Sequence, residues 1–170
     1  MKRLKRPLAI ALMIVGAVLT GYFLLEGRFD PEKQKAIQVA TGKFMQQNQE
    51  LLESNPQQVG VIVTDSGLQY RILQEGTGAQ PTAASTVLVH YRGLLVEGSE
   101  FDSSYRRGKP ISFPVNGLIS GWTEALQLMR EGAKWKLVVP PHLAYGEQGV
   151  PDLIPPNAVL RFEVELLKVN

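Results

Sequence analysis

The chain has no cysteine among its 170 residues and only two histidines, His90 and His142. The first absence excludes disulfides, thiolate nucleophiles, cysteine-ligated metals and a lipid anchor on cysteine. It does not name a compartment. Two imidazoles without HxxxH-type spacing leave little for a transition-metal site or for a hydrolase triad. An excess of one charge is missing too, because the formal +2 is unevenly spread. Residues 1–28 hold Lys2, Arg3, Lys5, Arg6 and Arg28 against Glu26, so the remainder carries thirteen Lys/Arg against fifteen Asp/Glu. A slightly acidic globular part gives no footing for nucleic acid. What is there is 44% apolar content, enough for one ordinary domain with an appendage.

The appendage comes first. MKRLKRP precedes LAIALMIVGAVLTGYFLL, residues 8–25, eighteen residues without a charge. As a helix this run spans about 27 Å at ~1.5 Å per residue, close to a bilayer's hydrocarbon thickness. It is longer than the usual cleaved signal's core, and nothing near Thr20–Arg28 reads as a small-x-small cleavage site. With the basic residues kept on the cytoplasmic side, the sequence predicts a single-pass signal-anchor over residues 1–28. In a bacterium that is an inner-membrane protein with its domain in the periplasm. The alternative is a soluble periplasmic protein after signal cleavage.

Residues 29–60 read as a helical spacer. Asp30 can cap, Pro31 suits the first helical position, and Ser54-Asn55-Pro56 stops the helix. Ile37, Ala40, Phe44 and Leu51 make a thin apolar stripe interrupted by Gln46–Gln49. That pattern is compatible with a dimer-forming stalk or with a solvated linker, and the residues leave both open.

From Val61 the texture changes to strands. GLQYRILQEG (67–76) begins one, and TVLVHYRGLLVEGSEFDSSY (86–105) reads as two strands around Glu97-Gly98. KWKLVVP (134–140) alternates Trp135, Leu137 and Val139 with Lys134, Lys136 and Val138, and VLRFEVELL (159–167) alternates Leu160, Phe162, Val164 and Leu166 with Arg161, Glu163 and Glu165. Such alternation means an antiparallel sheet with one wet face and one buried face. In LISGWTEALQLM (118–129), Ser120 can cap a helix that puts Trp122, Ala125, Leu126 and Met129 on one side. The expected fold is α+β, a curved antiparallel sheet of five to six strands wrapped on one short helix over residues 61–170.

Tyr91, Phe101, Asp102, Phe113, Leu118, Ile119, Trp122, Tyr145, Ile154 and Phe162 interleave aromatics with a few polar tips. Buried polar groups need partners, and this mixture is the usual lining of a ligand cavity. Taken singly, each is as readily explained as core or as a turn residue. His90 points away from Val89 and Tyr91, toward the surface, and His142 belongs to a flap without a required role.

The runs VHYRG, FDSSY, GKPISF, LISGWTEALQLM, GAKWKLVVPPHLAYGEQG and IPPNAVLRFEVELL make residues 61–170 resemble an FKBP-type peptidyl-prolyl cis-trans isomerase domain. SNPQQVGVIVTDSGLQYRIL (54–73) further resembles the lead-in of the exported bacterial Mip subgroup. The resemblance implies rotation about X–Pro bonds in exported polypeptides, with no cofactor and no metal. It implies Trp122 as the floor under the proline ring, and walls from Tyr91, Phe101, Phe113, Leu118, Ile119, Ile154 and Phe162. Asp102 and Tyr145 would complete the catalytic set with Trp122, the Tyr145 hydroxyl and the Ile119 N–H facing substrate carbonyls. Arg107 matches a basic residue near the aspartate, with Arg106 as its substitute. It further implies unfolded or folding proline-containing polypeptides as partners, macrolide inhibitors as ligands, and a homodimer through residues 31–53. A client-binding chaperone module without catalysis, using the same pocket, is the alternative, and a purely structural envelope protein leaves the pocket without a purpose.

Overall fold

The computed structural model describes residues 30–170. Helix α1 (Pro31–Ser54) starts as its sequence dictates: Asp30 Oδ1 accepts hydrogen bonds from the N–H groups of Glu32 and Lys33 at 3.0 and 3.3 Å. A 3₁₀ turn (Asn55–Gln57) with Pro56 inside it ends the helix.

The compact unit Lys43–Asn170 holds the whole sheet. Its strands are β1 (Val61–Val63), β2 (Gln69–Gln74), β3 (Thr86–Leu94), β4 (Glu100–Ser103), β5 (Ile111–Pro114), β6 (Lys134–Val139) and β7 (Leu160–Val169). They run in the order β1-β2-β6-β7-β3-β4, every pair antiparallel, with β5 also paired to β3. The sheet therefore has seven strands where five to six were expected. The additions, β1 and β5, are three and four residues long and exist only through pairing with β2 and β3.

Helix α2 (Ser120–Leu128) packs its Trp122, Ala125 and Leu126 against the inward residues of the long strands. Val87, Val89 and Tyr91 of β3, Trp135, Leu137 and Val139 of β6, and Leu160, Phe162, Val164 and Leu166 of β7 form that core. Each fully buried side chain of this kind contributes about 1.5–3 kcal/mol. The helix cap differs from expectation. Ile119, in extended geometry, is the N-cap, its carbonyl accepting from Trp122 N–H at 2.9 Å, and no side chain caps the helix. Ser120 is already inside the first turn.

The inner-membrane, single-pass placement is corrected. Among the described residues no helix is long and apolar enough to cross a membrane. Helix α1 has the length, but Lys33, Lys35, Lys43, Glu50 and Glu53 interrupt any apolar span. The run 8–25, with the hydrophobic helix expected there, lies outside the described residues.

The helix end is fastened to the domain by two amides. Asn48 is 3% exposed; its Oδ1 accepts the Val159 N–H at 2.7 Å and its Nδ2 donates to Phe44 O at 2.7 Å. Gln69 Nε2 donates to Leu52 O at 2.9 Å, while its Oε1 accepts from Asn55 Nδ2 at 2.8 Å. Both Asn48 and the Val159 amide are out of water, so their hydrogen bond is an obligation of the fold.

Candidate functional site

Between α2, the inner face of β3 and β7, strand β4 at Phe101 and the loop at Tyr145 lies a cavity of about 450 Å³. Trp122 forms its base, 4% exposed. Three rings stand nearly perpendicular to the indole: Tyr91 at 5.1 Å and 87°, Phe162 at 5.3 Å and 82°, and Phe113 at 6.4 Å and 86°. Phe101 closes one side, edge-on to Phe162 at 5.7 Å. Edge-to-face packing of this sort fixes the rings in place without filling the space above the indole.

The strand register explains why the rings fit. Gly93 of β3 pairs with Phe162 of β7 and Asp102 of β4. A Cβ at Gly93 would stand 2.5 Å from Phe101 Cζ and 2.9 Å from Phe162 Cε1. Only a residue without a side chain lets both walls stand there.

One polar cluster borders this apolar cup. The Tyr91 hydroxyl donates to Asp102 Oδ2 at 2.5 Å and accepts from Arg107 Nη2 at 2.8 Å, and Arg107 Nη1 donates to Asp102 Oδ1. The Arg107 guanidinium also lies 5.6 Å from the Tyr91 ring centre. Burial, helped by the bond to the Asp102 carboxylate, pushes the Tyr91 phenol up to about 12. Burial would raise Asp102, but hydrogen bonds from Tyr91 and Arg107 and the charge of Arg107 outweigh it and hold the carboxyl below its ordinary value. The cluster therefore keeps Asp102 ionised and Tyr91 neutral at ordinary pH.

Two donors remain at the mouth. Tyr145 is 41% exposed, and its phenol is raised by burial and by the Asp102 charge, with no hydrogen bond to its oxygen among the described residues. The Ile119 N–H likewise has no backbone acceptor among the described residues. A guest that brings carbonyl oxygens could satisfy both.

The structure gathers nine of the ten predicted positions around the cavity: Tyr91, Phe101, Asp102, Phe113, Leu118, Ile119, Trp122, Tyr145 and Phe162. Ile154 is not among the lining. It is 4% exposed, bridged to Val150 within the flap, and packs in the core. Gly117 does line the cavity and carried no sequence signal. Arg107 is the cation at the aspartate, whereas Arg106 reaches Glu100 at 3.5 Å. His90 is half-buried, its Nδ1 2.8 Å from Ser104 Oγ and its ring stacked on Tyr105 at 4.5 Å. His142 is exposed, donates from Nε2 to Ser66 O at 2.8 Å, and stays clear of the cavity.

The model of the family described as FKBP-type peptidyl-prolyl cis-trans isomerase matches residues 77–167, and that of the domain amino terminal to FKBP-type peptidyl-prolyl isomerase matches 22–72. The FKBP-type 22 kDa peptidyl-prolyl cis-trans isomerase of Escherichia coli is 53% identical over 118 residues, 69% of this chain and 57% of that protein. Peptidyl-prolyl cis-trans isomerase Mip of Coxiella burnetii is 50% identical over 119 residues, 70% of this chain and 52% of that protein. The chain thus spans about half the length of these curated relatives. The crystal structure of FkpA from Escherichia coli superposes with a TM-score of 0.77 at 37% identity, covering 99% of this chain and 84% of that one. The wall-and-floor cavity, the seven-stranded sheet over one helix and these matches agree, and the chain belongs to the FKBP-type peptidyl-prolyl cis-trans isomerase family.

Proposed function

We propose that the chain accelerates cis-trans rotation about X–Pro bonds in polypeptides by seating the proline ring on Trp122. The observation that carries this is the indole floor walled by three perpendicular rings, with Asp102, Tyr145 and the Ile119 N–H at its edge. The planar amide is held by resonance, and rotation faces a barrier of about 18–20 kcal/mol. At the twisted transition state that resonance is lost, and the carbonyl carries less charge separation than in the planar form. An apolar cup therefore favours the twisted amide relative to water, which is differential binding of the transition state. Tyr145 Oη and the Ile119 N–H would hold the flanking carbonyls, and no nucleophile is needed.

The catalytic set is Trp122, Asp102 and Tyr145, with the other lining side chains holding substrate. Ile154 would act from the core behind the flap. The domain 61–170 carries the pocket, and 29–60 is its spacer. Macrolide inhibitors would take the same cavity. A second copy of the chain would pack on residues 31–53, where Ile37, Val39 and Met45 are 51%, 65% and 42% exposed; sedimentation of the full chain tests this.

The test of the activity is the cis-to-trans rate of a short X–Pro peptide with and without the full chain. Acceleration supports the isomerase. A folded chain that binds unfolded polypeptides without accelerating the peptide supports the client-binding alternative.

A further inference from the structure

The outer face of the sheet, opposite the proline cavity, carries a groove of a different chemistry. Antiparallel register places Val61, Arg71, Lys136, Glu163 and Arg92 in one row across β1, β2, β6, β7 and β3. The next row on the same face contains Gln69, Val138, Arg161 and Leu94. Between them, Tyr70, Leu137, Phe162 and Gly93 point to the other side. Except for Gln69, which is buried, the two rows line a single groove together with Leu51 near the end of α1 and Asn55 of the 3₁₀ turn.

Its charge is one-sided. Arg71, Arg92, Lys136 and Arg161 line it, and none has a carboxylate within ion-pair distance among the described residues. Glu163, the one acid of the lining, is engaged by Lys134 Nζ at 2.9 Å. Glu163 lies between Lys136 and Arg92 in its row, but one acid among four cations leaves the groove net positive. They collect here although residues 30–170 carry more acids than bases. Leu51, Val61, Leu94 and Val138 give the same groove apolar contacts. A bare phosphate would use only the cations, and a duplex would need a wider basic surface. An extended segment mixing carboxylates with apolar side chains uses both.

We propose that this groove is a second client-binding surface that takes acidic, partly apolar, extended polypeptide segments. The proposal rests on the isomerase reading for its purpose. Phe162 lines the cavity while its neighbours Arg161 and Glu163 line the groove, so a long client held by the groove stays at high effective concentration near the pocket. A short X–Pro peptide would reach only the pocket.

The test is fluorescence anisotropy of a labelled, proline-free peptide of aspartate, glutamate and leucine with the full chain. A counterpart with lysine for every acid serves as control. The acidic peptide is expected to bind and the basic one not. Raising the salt to about 1 M, where the Debye length is about 3 Å, should release it. Arg71→Glu with Arg161→Glu should weaken binding at least about tenfold. Arg71→Gln with Arg161→Gln, a milder pair, should weaken it less and decides the matter if the reversed pair does not fold. Equal binding of both peptides, an unchanged affinity in the folded variants, or capture of anionic phospholipid vesicles in place of the peptide would overturn the proposal. Because the probe has no proline, its binding to the groove is measured independently of whether the chain accelerates X–Pro rotation.

Discussion

The hydroxyl of Tyr91 lies 2.5 Å from Oδ2 of Asp102, and these two residues come from strands paired beside Gly93. Tyr91 thus has two roles. Its ring walls the cavity edge-on to Trp122, while its oxygen anchors the carboxylate at the rim.

The cluster has a pH signature with two limbs. The Tyr91 phenol is raised to about 12, so its contribution to stability is complete below pH 10.0 and is lost as pH rises through about 12. Asp102 is lowered from 3.8, so its contribution is complete above that value and is lost as pH falls through the lower folded one. Urea unfolding across pH should show both limbs. Tyr91→Phe should reduce the alkaline limb, to which the raised Tyr105 and Tyr145 phenols also contribute, and Asp102→Asn should reduce the acid one, which Glu163 shares, while between about pH 5 and 9 the charge state of the pair is constant.

On the proposed reading Tyr145→Phe deletes one hydrogen bond to substrate, and among the described residues its hydroxyl makes none to the protein. It should cost about 1 kcal/mol, roughly a fivefold fall in kcat/KM on an X–Pro peptide, with the unfolding midpoint unchanged.

Gly93→Ala should lower stability as well as rate. Its methyl group meets Phe101 and Phe162 at contacts that cannot persist, so one wall must move. Overpacking of this kind costs about 1–3 kcal/mol of stability. The peptide rate should fall with it, and a shift in the aromatic NMR signals of Phe101 and Phe162 would report the displaced wall.

Asn48→Ala leaves the buried Val159 N–H without its acceptor. The expected loss is about 1–3 kcal/mol in denaturant unfolding, with faster hydrogen exchange at the Val159 amide and little change in peptide turnover.

Asn48 also shows where sequence reasoning stops. In the helix pattern it reads as part of the polar interruption Gln46–Gln49, and its partner lies 111 residues away. The strands β6 and β7 were legible because one wet face imposes a period of two on their residues. β1 and β5 are too short to show a period and depend on neighbours distant in sequence. For the site, the residue types of Tyr91, Asp102 and Arg107 were visible, and the resemblance in motif order supplied their roles. Their mutual bonding is set by the β3–β4 register and its irregularity at Gly93/Leu94, which no local pattern encodes. Ile154 matched by position, yet the Val150 bridge turns it into the core.

The most direct measurement is the cis-to-trans rate of a short X–Pro peptide with the full chain and with its Trp122→Ala variant, each first verified as folded by urea unfolding. Acceleration by the parent that collapses in a folded variant is the predicted result, since without the indole the proline ring has no floor. A folded Trp122→Ala chain with the parent's rate would contradict the account.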